Sequence, residues 1–322
     1  MNILVCGGAG YIGSHAVLDL IRRGHKASVI DSLENGRRHA IAEEAQFYQA
    51  DLRDYVSVSE IFASEKFDAV MDFAAYSLVG ESVADPLKYY ENNVFGTMNL
   101  LKAMRDSGVK YLVFSSTASV YGLPETFPIG VDAETRPINP YGETKLAVEK
   151  MLRWCDEAYG IKSACLRYFN VAGADESGLI GEDHRPETHI IPNIITAAMN
   201  GTCFKLFGDD YDTPDGTCIR DYIHVTDVID AHILALESIM KTGESVAYNL
   251  GSQSGYSNLE IINAVKRVTE LDVKYEIAPR RPGDPDVLVA SFEKINNELG
   301  WKPKFGLEEI ISSAYEWHKR RL

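Results

Sequence analysis

Tyr141 and Lys145 stand one helical turn apart in the stretch NPYGETKLAVEK, residues 139 to 150. Asn139 can cap a helix and Pro140 suits its first position. An apolar stripe follows through Val148, Leu152 and Cys155 at three- and four-residue spacing. Traced backwards, the stripe meets Lys145 and Tyr141, so both fall on the inward face. A free tyrosine titrates near about 10. A cation beside it favours the phenolate, and such a tyrosine can serve as a general acid and base. The competing reading is packing, with the ring in the core and the lysine stem reaching for solvent. Upstream, VFSSTASVYG (residues 113 to 122) closes an apolar strand with Ser115, Ser116 and Thr117. A Thr117 hydroxyl there can hold the oxygen that Tyr141 deprotonates, or it can simply cap a loop.

A second constellation points to a ligand. GGAGYIG, residues 7 to 13, contains Gly8-x-Gly10-x-x-Gly13 and also Gly7-x-x-Gly10-x-x-Gly13. It follows the apolar strand Ile3–Cys6 and opens a helix over Ile12–Arg23. Glycines in that context allow a tight turn and close backbone approach to a pyrophosphate, which the free N–H groups of the helix N-terminus then face. Asp31 ends the second strand eighteen residues after Gly13. A carboxylate there accepts hydrogen bonds from an adenosine ribose and repels a 2′-phosphate, which favours NAD over NADP. Arg37 and Arg38 nearby weigh the other way. Asp51, in QADLRD, ends the third strand and can either contact the adenine or cap a helix. A nicotinamide cation held in this cradle would add to the charge that favours the Tyr141 phenolate.

The elements that must position these residues alternate. Apolar runs at Ile3–Cys6, Ala27–Ile30, Phe47–Ala50, Ala69–Phe73, Tyr111–Ser115 and Ala164–Tyr168 predict strands. Amphipathic stretches at Ile12–Arg23, Val56–Ala63, Val83–Ser107 and Pro140–Tyr159 predict helices between them. That alternation predicts an α/β fold with a doubly wound parallel sheet, binding ligands at the carboxyl ends of its strands. After Tyr168 the texture changes to Gly-, Asp- and Glu-rich loop, then a helix near Ile190–Met199, a strand CFKLFG, and a strand and helix in DYIHVTDVIDAHILALESI. We expect a dinucleotide-binding domain over residues 1–170, with later segments returning to it. A smaller α+β substrate domain is expected over residues 171–322.

The 322 residues carry a net charge of −15. Such an acidic chain is poorly suited to a nucleic-acid backbone or an anionic membrane surface, though local arginines can still take a phosphorylated small molecule. Five scattered cysteines without a CxxC or Cys/His cluster predict no disulfide framework and no metal site. No apolar run reaches the roughly 18 residues of a membrane span, and the N-terminus begins directly in a strand pattern. We expect a cytoplasmic protein. His15, His25, His39, His184, His224, His232 and His318 show no ligand spacing and are expected to be structural or solvated.

The glycine turn, the acid ending strand two, the Ser/Thr strand end and Tyr-x-x-x-Lys together resemble the extended short-chain dehydrogenase/reductase family. GGAGYIGSH, VGESVADPLKYYENNVFGT, FSSTASVYG, NPYGETKLAVEK, LRYFNVAGA and IRDYIHVTDV narrow the resemblance to its UDP-sugar 4-epimerases, over nearly the whole chain. It implies an NAD-dependent isomerase that inverts C4 of UDP-glucose or UDP-galactose through a 4-keto sugar. Tyr141 would be base and acid, Lys145 the pKa-lowering cation and Thr117 the hydroxyl partner, where many relatives carry serine. Beside Gly7, Gly10 and Gly13, the implied NAD contacts are Tyr11, Ile12, Asp31, Asn35, Gly36, Asp51, Leu52, Phe73, Ala74, Asn92, Lys145 and Phe169. Ser77 stands where a common version of the segment has a lysine that helps hold the cofactor phosphates, which implies looser retention of NAD. The implied nucleotide-sugar contacts, beside Thr117 and Tyr141, are Asn170, His189, Ile190, Phe207, Arg220, Tyr222, Arg281 and Asp284.

Arg220 and Arg281 suit a diphosphate as forks in an acidic protein, or they are surface ion pairs. Many relatives have asparagine at His189. Leu288 replaces a bulky tyrosine found in some relatives beside the sugar C2 group, which implies room for N-acetylated UDP-sugars. The resemblance also implies a homodimer formed through the Val83–Ser107 region and the helix after Tyr141. Rival readings are a UDP-pentose epimerase, a dehydratase and a non-catalytic NAD sensor. The dehydratase reading lacks its elimination acids, because Thr117 is followed by Ala118 and Ser119.

Overall fold

The computed structural model of the chain describes residues 1–281 and 284–321. In chain order the first elements are β1 (Asn2–Cys6), α1 (Tyr11–Arg22), β2 (Lys26–Asp31), β3 (Gln46–Gln49), α2 (Tyr55–Ser64) and β4 (Ala69–Asp72). Then come α3 (Val79–Ala84), α4 (Pro86–Tyr89), a π-helical turn (Tyr90–Gly96), α5 (Thr97–Ser107), β5 (Tyr111–Ser115), α6 (Pro140–Tyr159) and β6 (Lys162–Tyr168). The second half holds β7 (Asn170–Ala172), α7 (Ile190–Met199), β8 (Cys203–Phe207), β9 (Ile219–Arg220), β10 (Tyr222–His224), α8 (Val225–Thr242) and β11 (Val246–Leu250). It ends with β12 (Tyr256–Ser257), α9 (Asn258–Thr269), β13 (Lys274–Ala278), β14 (Val287–Leu288), α10 (Glu293–Leu299) and α11 (Leu307–Lys319).

One compact unit comprises Met1–Pro124, Asp132–Arg167 and Ile229–Asn249. Its seven-stranded parallel sheet runs β11-β6-β5-β4-β1-β2-β3. Ile3 to Cys6 and Ala69 to Asp72 are buried throughout, because helices cover both faces of such a sheet. β1 pairs with β2 on one side and β4 on the other, so strand order reverses between β1 and β4. Loops leaving those two strands diverge and open a crevice at their carboxyl ends. The Gly7–Gly13 turn and the segment after Phe73 leave from there. This is the expected doubly wound architecture. Helix α6 is capped by Asn139, whose side chain accepts from Gly142 N at 2.9 Å, and it ends at Gly160 in the left-handed region. Val148, Leu152 and Cys155 are buried in the core with Leu100, Met104 and Phe114.

One expected helix is broken. Val83–Ser107 is not continuous: α3 stops at Ala84, Asp85 caps Lys88 N at 3.3 Å, and Pro86 restarts the helix as α4. Proline lacks the N–H that a continuing helix needs. A π turn then follows, a form that often marks a functional position.

The other unit comprises Glu125–Val131, Tyr168–Val228 and the chain from Leu250 onward. It holds three small sheets, β10-β7, β12-β9-β14 and β13-β8. Its core joins Ile191, Ile194 and Ile195 of α7 to Ile261, Ile262 and Val265 of α9 and Ile310 and Ile311 of α11.

Candidate active site

The glycine turn is built for close approach. Gly7 has φ of 75°, and a Cβ there would sit 2.8 Å from Ala74 N. A Cβ on Gly13 would meet Gly7 O at 2.2 Å, so only glycine fits. Gly10 precedes α1 and offers no side-chain cap, and a helix N-terminus in this position presents backbone donors and a positive dipole end to an anion. Asp31 ends β2 with its carboxylate buried; Oδ2 accepts from Ala9 N at 2.9 Å and Oδ1 from Leu33 N at 2.8 Å. Burial raises its pKa and these backbone bonds lower it. Gly36 packs against the same group: a Cβ there would lie 2.8 Å from Asp31 Oδ1. These features fit a dinucleotide.

The remaining cofactor candidates differ in exposure and partners. Asn35 is exposed, whereas Leu52 is buried. Asp51 receives Arg53 through Nε at 2.9 Å and a terminal nitrogen at 2.6 Å, which holds its pKa low. Helix capping falls instead to Asp54, which accepts from Val56 N at 3.1 Å. Phe73 and Ala74 follow β4, and the Phe73 ring lies 4.8 Å from that of His232. Ser77 is exposed. Asn92, in the π turn, donates to Asn93 Oδ1 at 3.0 Å, and Asn93 donates to Thr144 Oγ1 at 3.1 Å. The π turn is thereby tied to α6. Phe169 is half-buried between β6 and β7.

Tyr141, Lys145 and Thr117 come together. Thr117 follows β5; its Oγ1 accepts from Ser119 N at 3.1 Å, and its hydroxyl is near enough to that of Tyr141 to lower the tyrosine's pKa. Lys145 is buried; its Nζ donates to Ser115 O at 2.7 Å and lies 4.7 Å from the Phe114 ring centroid. Burial pushes the Lys145 pKa down to about 8, against the charges of Asp72 and Glu149, which push it up. Tyr141 departs from expectation. Burial raises its pKa and only the Thr117 hydroxyl lowers it, so desolvation of the phenolate dominates.

Asp72 went unnoticed in the sequence. It ends β4, is 1% exposed, and accepts from Ala74 N at 3.0 Å. Burial lifts its pKa to about 6 although Lys145 pulls it down. Glu149 is the second omission, one turn beyond Lys145 on the same helical stripe. It accepts from Ser116 Oγ at 2.5 Å and from Arg167 through Nε at 3.0 Å and a terminal nitrogen at 2.6 Å. Arg167 also donates to Tyr121 Oη at 2.8 Å, and Tyr121 donates to Asn249 Oδ1 at 2.6 Å. This chain joins β5, α6, β6 and β11, and so holds Thr117 against the helix bearing Tyr141.

The nucleotide-sugar candidates lie in the other unit. Arg220 ends β9, pairs with Asp284 and donates to Pro285 O at 2.7 Å. Leu288 sits opposite Arg220 in the β9–β14 register. Arg281 stacks over Phe207, 4.5 Å from the ring centroid, at the end of β8. Tyr222 is buried, which raises its pKa. Asn170 donates to Asp221 O at 2.9 Å. Ile190 opens α7. The side chain of His189 turns instead to Glu182. His184 shares that carboxylate.

Residues 3–251 match the NAD dependent epimerase/dehydratase family, and the chain belongs to it. The chain is similar to a UDP-glucose 4-epimerase of Lactobacillus helveticus, 57% identical over 99% of this chain and 97% of the relative. A solved UDP-glucose 4-epimerase of Brucella ovis in complex with NAD superposes with a TM-score of 0.95, at 44% identity over 98% of this chain and 97% of that one. Another, from Stenotrophomonas maltophila with bound NAD and formylated UDP-arabinopyranose, gives 0.96 at 41% identity over 100% and 98%.

Proposed function

We propose that this protein is an NAD-dependent isomerase that interconverts UDP-glucose and UDP-galactose by inverting the sugar C4. The carrying observation is the grouping of half-buried Tyr141 with buried Thr117 and Lys145, in the same unit as the glycine cradle and Asp31. The α1 N-terminus holds the pyrophosphate and Asp31 the adenosine ribose. NAD held there would supply a hydride acceptor for C4 and the source of its return to the opposite face. Tyr141 removes the proton of the 4-hydroxyl and gives it back to the same oxygen after inversion. Thr117 orients that oxygen through its hydroxyl. Lys145, held by Ser115 O, supplies the positive charge that makes the phenolate accessible.

Arg220 and Arg281 take the diphosphate, with the phosphate oxygens replacing Asp284 as the partner of Arg220. Leu288 leaves room beside C2, so N-acetylated UDP-sugars turn over as well. We also infer a homodimer, since Leu87, Phe95 and Trp154 expose apolar surface on α4, the π turn and α6, with Leu87 at 77% and Trp154 at 58%. No helix among the described residues is long and apolar enough to cross a membrane. The free cysteines fit a reducing, cytoplasmic setting.

The test is to incubate purified protein, without added NAD, with UDP-galactose and with UDP-N-acetylgalactosamine, and to identify products by NMR. We expect the C4 epimer of each. Tyr141→Phe should keep its NAD and lose about 10²–10⁴-fold in rate. No epimer from either sugar, even after NAD is added, would remove the proposal.

A further inference from the structure

The segment EDHRPETH, residues 182 to 189, closes on itself ahead of α7. Glu182, His184, Glu187 and His189 each turn one ligand atom inward, and these atoms all lie within 4.8 Å of one another. Glu182 is 4% exposed, and its Oε1 receives both imidazoles through Nδ1, His184 at 3.0 Å and His189 in closer contact. The Glu187 carboxylate stands 3.7 Å from His184 Nδ1 and 4.0 Å from His189 Nδ1. The two rings meet edge to face at 5.2 Å.

We propose that these four side chains bind one divalent transition-metal ion, zinc for preference, through two imidazole nitrogens and two carboxylate oxygens. Ligands at about 2.0–2.2 Å in a tetrahedron stand about 3.4 Å apart, within the span of the separations here. Mixed imidazole and carboxylate donors suit zinc better than magnesium or calcium, which prefer oxygen alone. Two imidazoles aimed at one carboxylate oxygen would repel each other if both were protonated; one dication satisfies all four groups.

The frame is already in place. Glu182 O accepts from Trp317 Nε1 of α11 at 3.0 Å, and Gly181 lies against the same indole, where a Cβ would sit 2.5 Å from Cγ. Glu187 Oε1 accepts from Thr188 N at 2.7 Å and His189 N at 2.8 Å. Asp183 accepts from Arg321 at 2.8 Å. With four protein ligands the site is a closed, structural one. It clamps the loop onto α11 and sets His189 at the start of α7, immediately before Ile190.

The full-length protein, purified without a histidine tag and dialysed against metal-free buffer, is assayed for metals by mass spectrometry. We expect about one zinc per chain, and EDTA-stripped protein to regain it on titration with zinc chloride, with the melting temperature rising about 5 °C. Cobalt chloride should give the visible absorption of a four-coordinate site, which His184→Ala and His189→Ala should each abolish. Glu187→Gln, which keeps the loop's size and its backbone acceptor, should weaken uptake while leaving the circular dichroism of the stripped protein unchanged. Stripped wild-type protein with neither stoichiometric uptake nor a thermal shift would reduce the cluster to histidine–carboxylate ion pairs and overturn the proposal. Uptake in the double His184→Ala/His189→Ala variant equal to wild type would place the ion elsewhere and overturn it equally.

Discussion

Asp72→Asn tests how the buried lysine is tuned. Burial drives the Lys145 pKa down to about 8, and Asp72 is first among the charges that resist it. Asparagine keeps the size and an acceptor for Ala74 N but removes the charge. A nearby opposite charge shifts a pKa by about 1–3 units. A fall of about one to two units takes Lys145 to roughly 6–7. At about pH 7.5 the fraction of charged lysine would drop from roughly three-quarters to between a quarter and one in thirty. If Tyr141 depends on that cation, kcat should fall about 3- to 25-fold at this pH. The alkaline limb of the kcat profile should move down by the same one to two units. The sign reverses nowhere, because losing a carboxylate can only make the ammonium less favourable. Towards acid the two proteins should converge: Asp72 itself titrates at about 6, so below that pH the wild-type residue is neutral too. The assay is the kcat–pH profile on NAD-loaded protein with UDP-galactose. An alkaline limb that stays put or moves upward would refute the coupling of Asp72 to Lys145.

Glu149→Leu leaves Arg167 charged in a site where the two side chains are 8% and 9% exposed, and should cost about 3–5 kcal/mol in urea unfolding. Adding Arg167→Leu should recover most of that loss; a double variant as unstable as the single one would show that the pair's charge is not what matters. Gly13→Ala puts a methyl 2.2 Å from Gly7 O, so the purified variant should carry less than about a tenth of the wild-type NAD by chromatography of the extracted nucleotide. Full NAD content would sink the cradle reading. Leu288→Tyr should remove turnover of UDP-N-acetylgalactosamine while keeping UDP-galactose within about threefold; equal loss of both sugars would mean that the position does not read the C2 group.

Much of this protein is legible one residue at a time. Parallel strands buried on both faces must be continuous apolar runs, so β1, β2, β4, β5 and β6 stand out in the chain. A helix period is local, and it carries Tyr141, Lys145, Val148, Leu152 and Cys155 onto one face. Glycines whose Cβ would strike backbone leave a pattern because no other residue fits. The break in Val83–Ser107 was half-written, in Asp85 and Pro86, but the π turn beside it has no residue signal. What only tertiary structure decided are the charges. Asp72 could be any strand-end acid until β4 lies beside β5 and α6 brings Lys145 against it. Glu149 and Arg167 become a pair only when β6 packs under α6, and a desolvated charge has a value only once its partner is known. Even EDHRPETH, with every donor in view, reads as a polar loop until the backbone turns four side chains towards one point. Periodicity and steric exclusion act on neighbours in sequence; electrostatics acts through space, and the fold sets the distances.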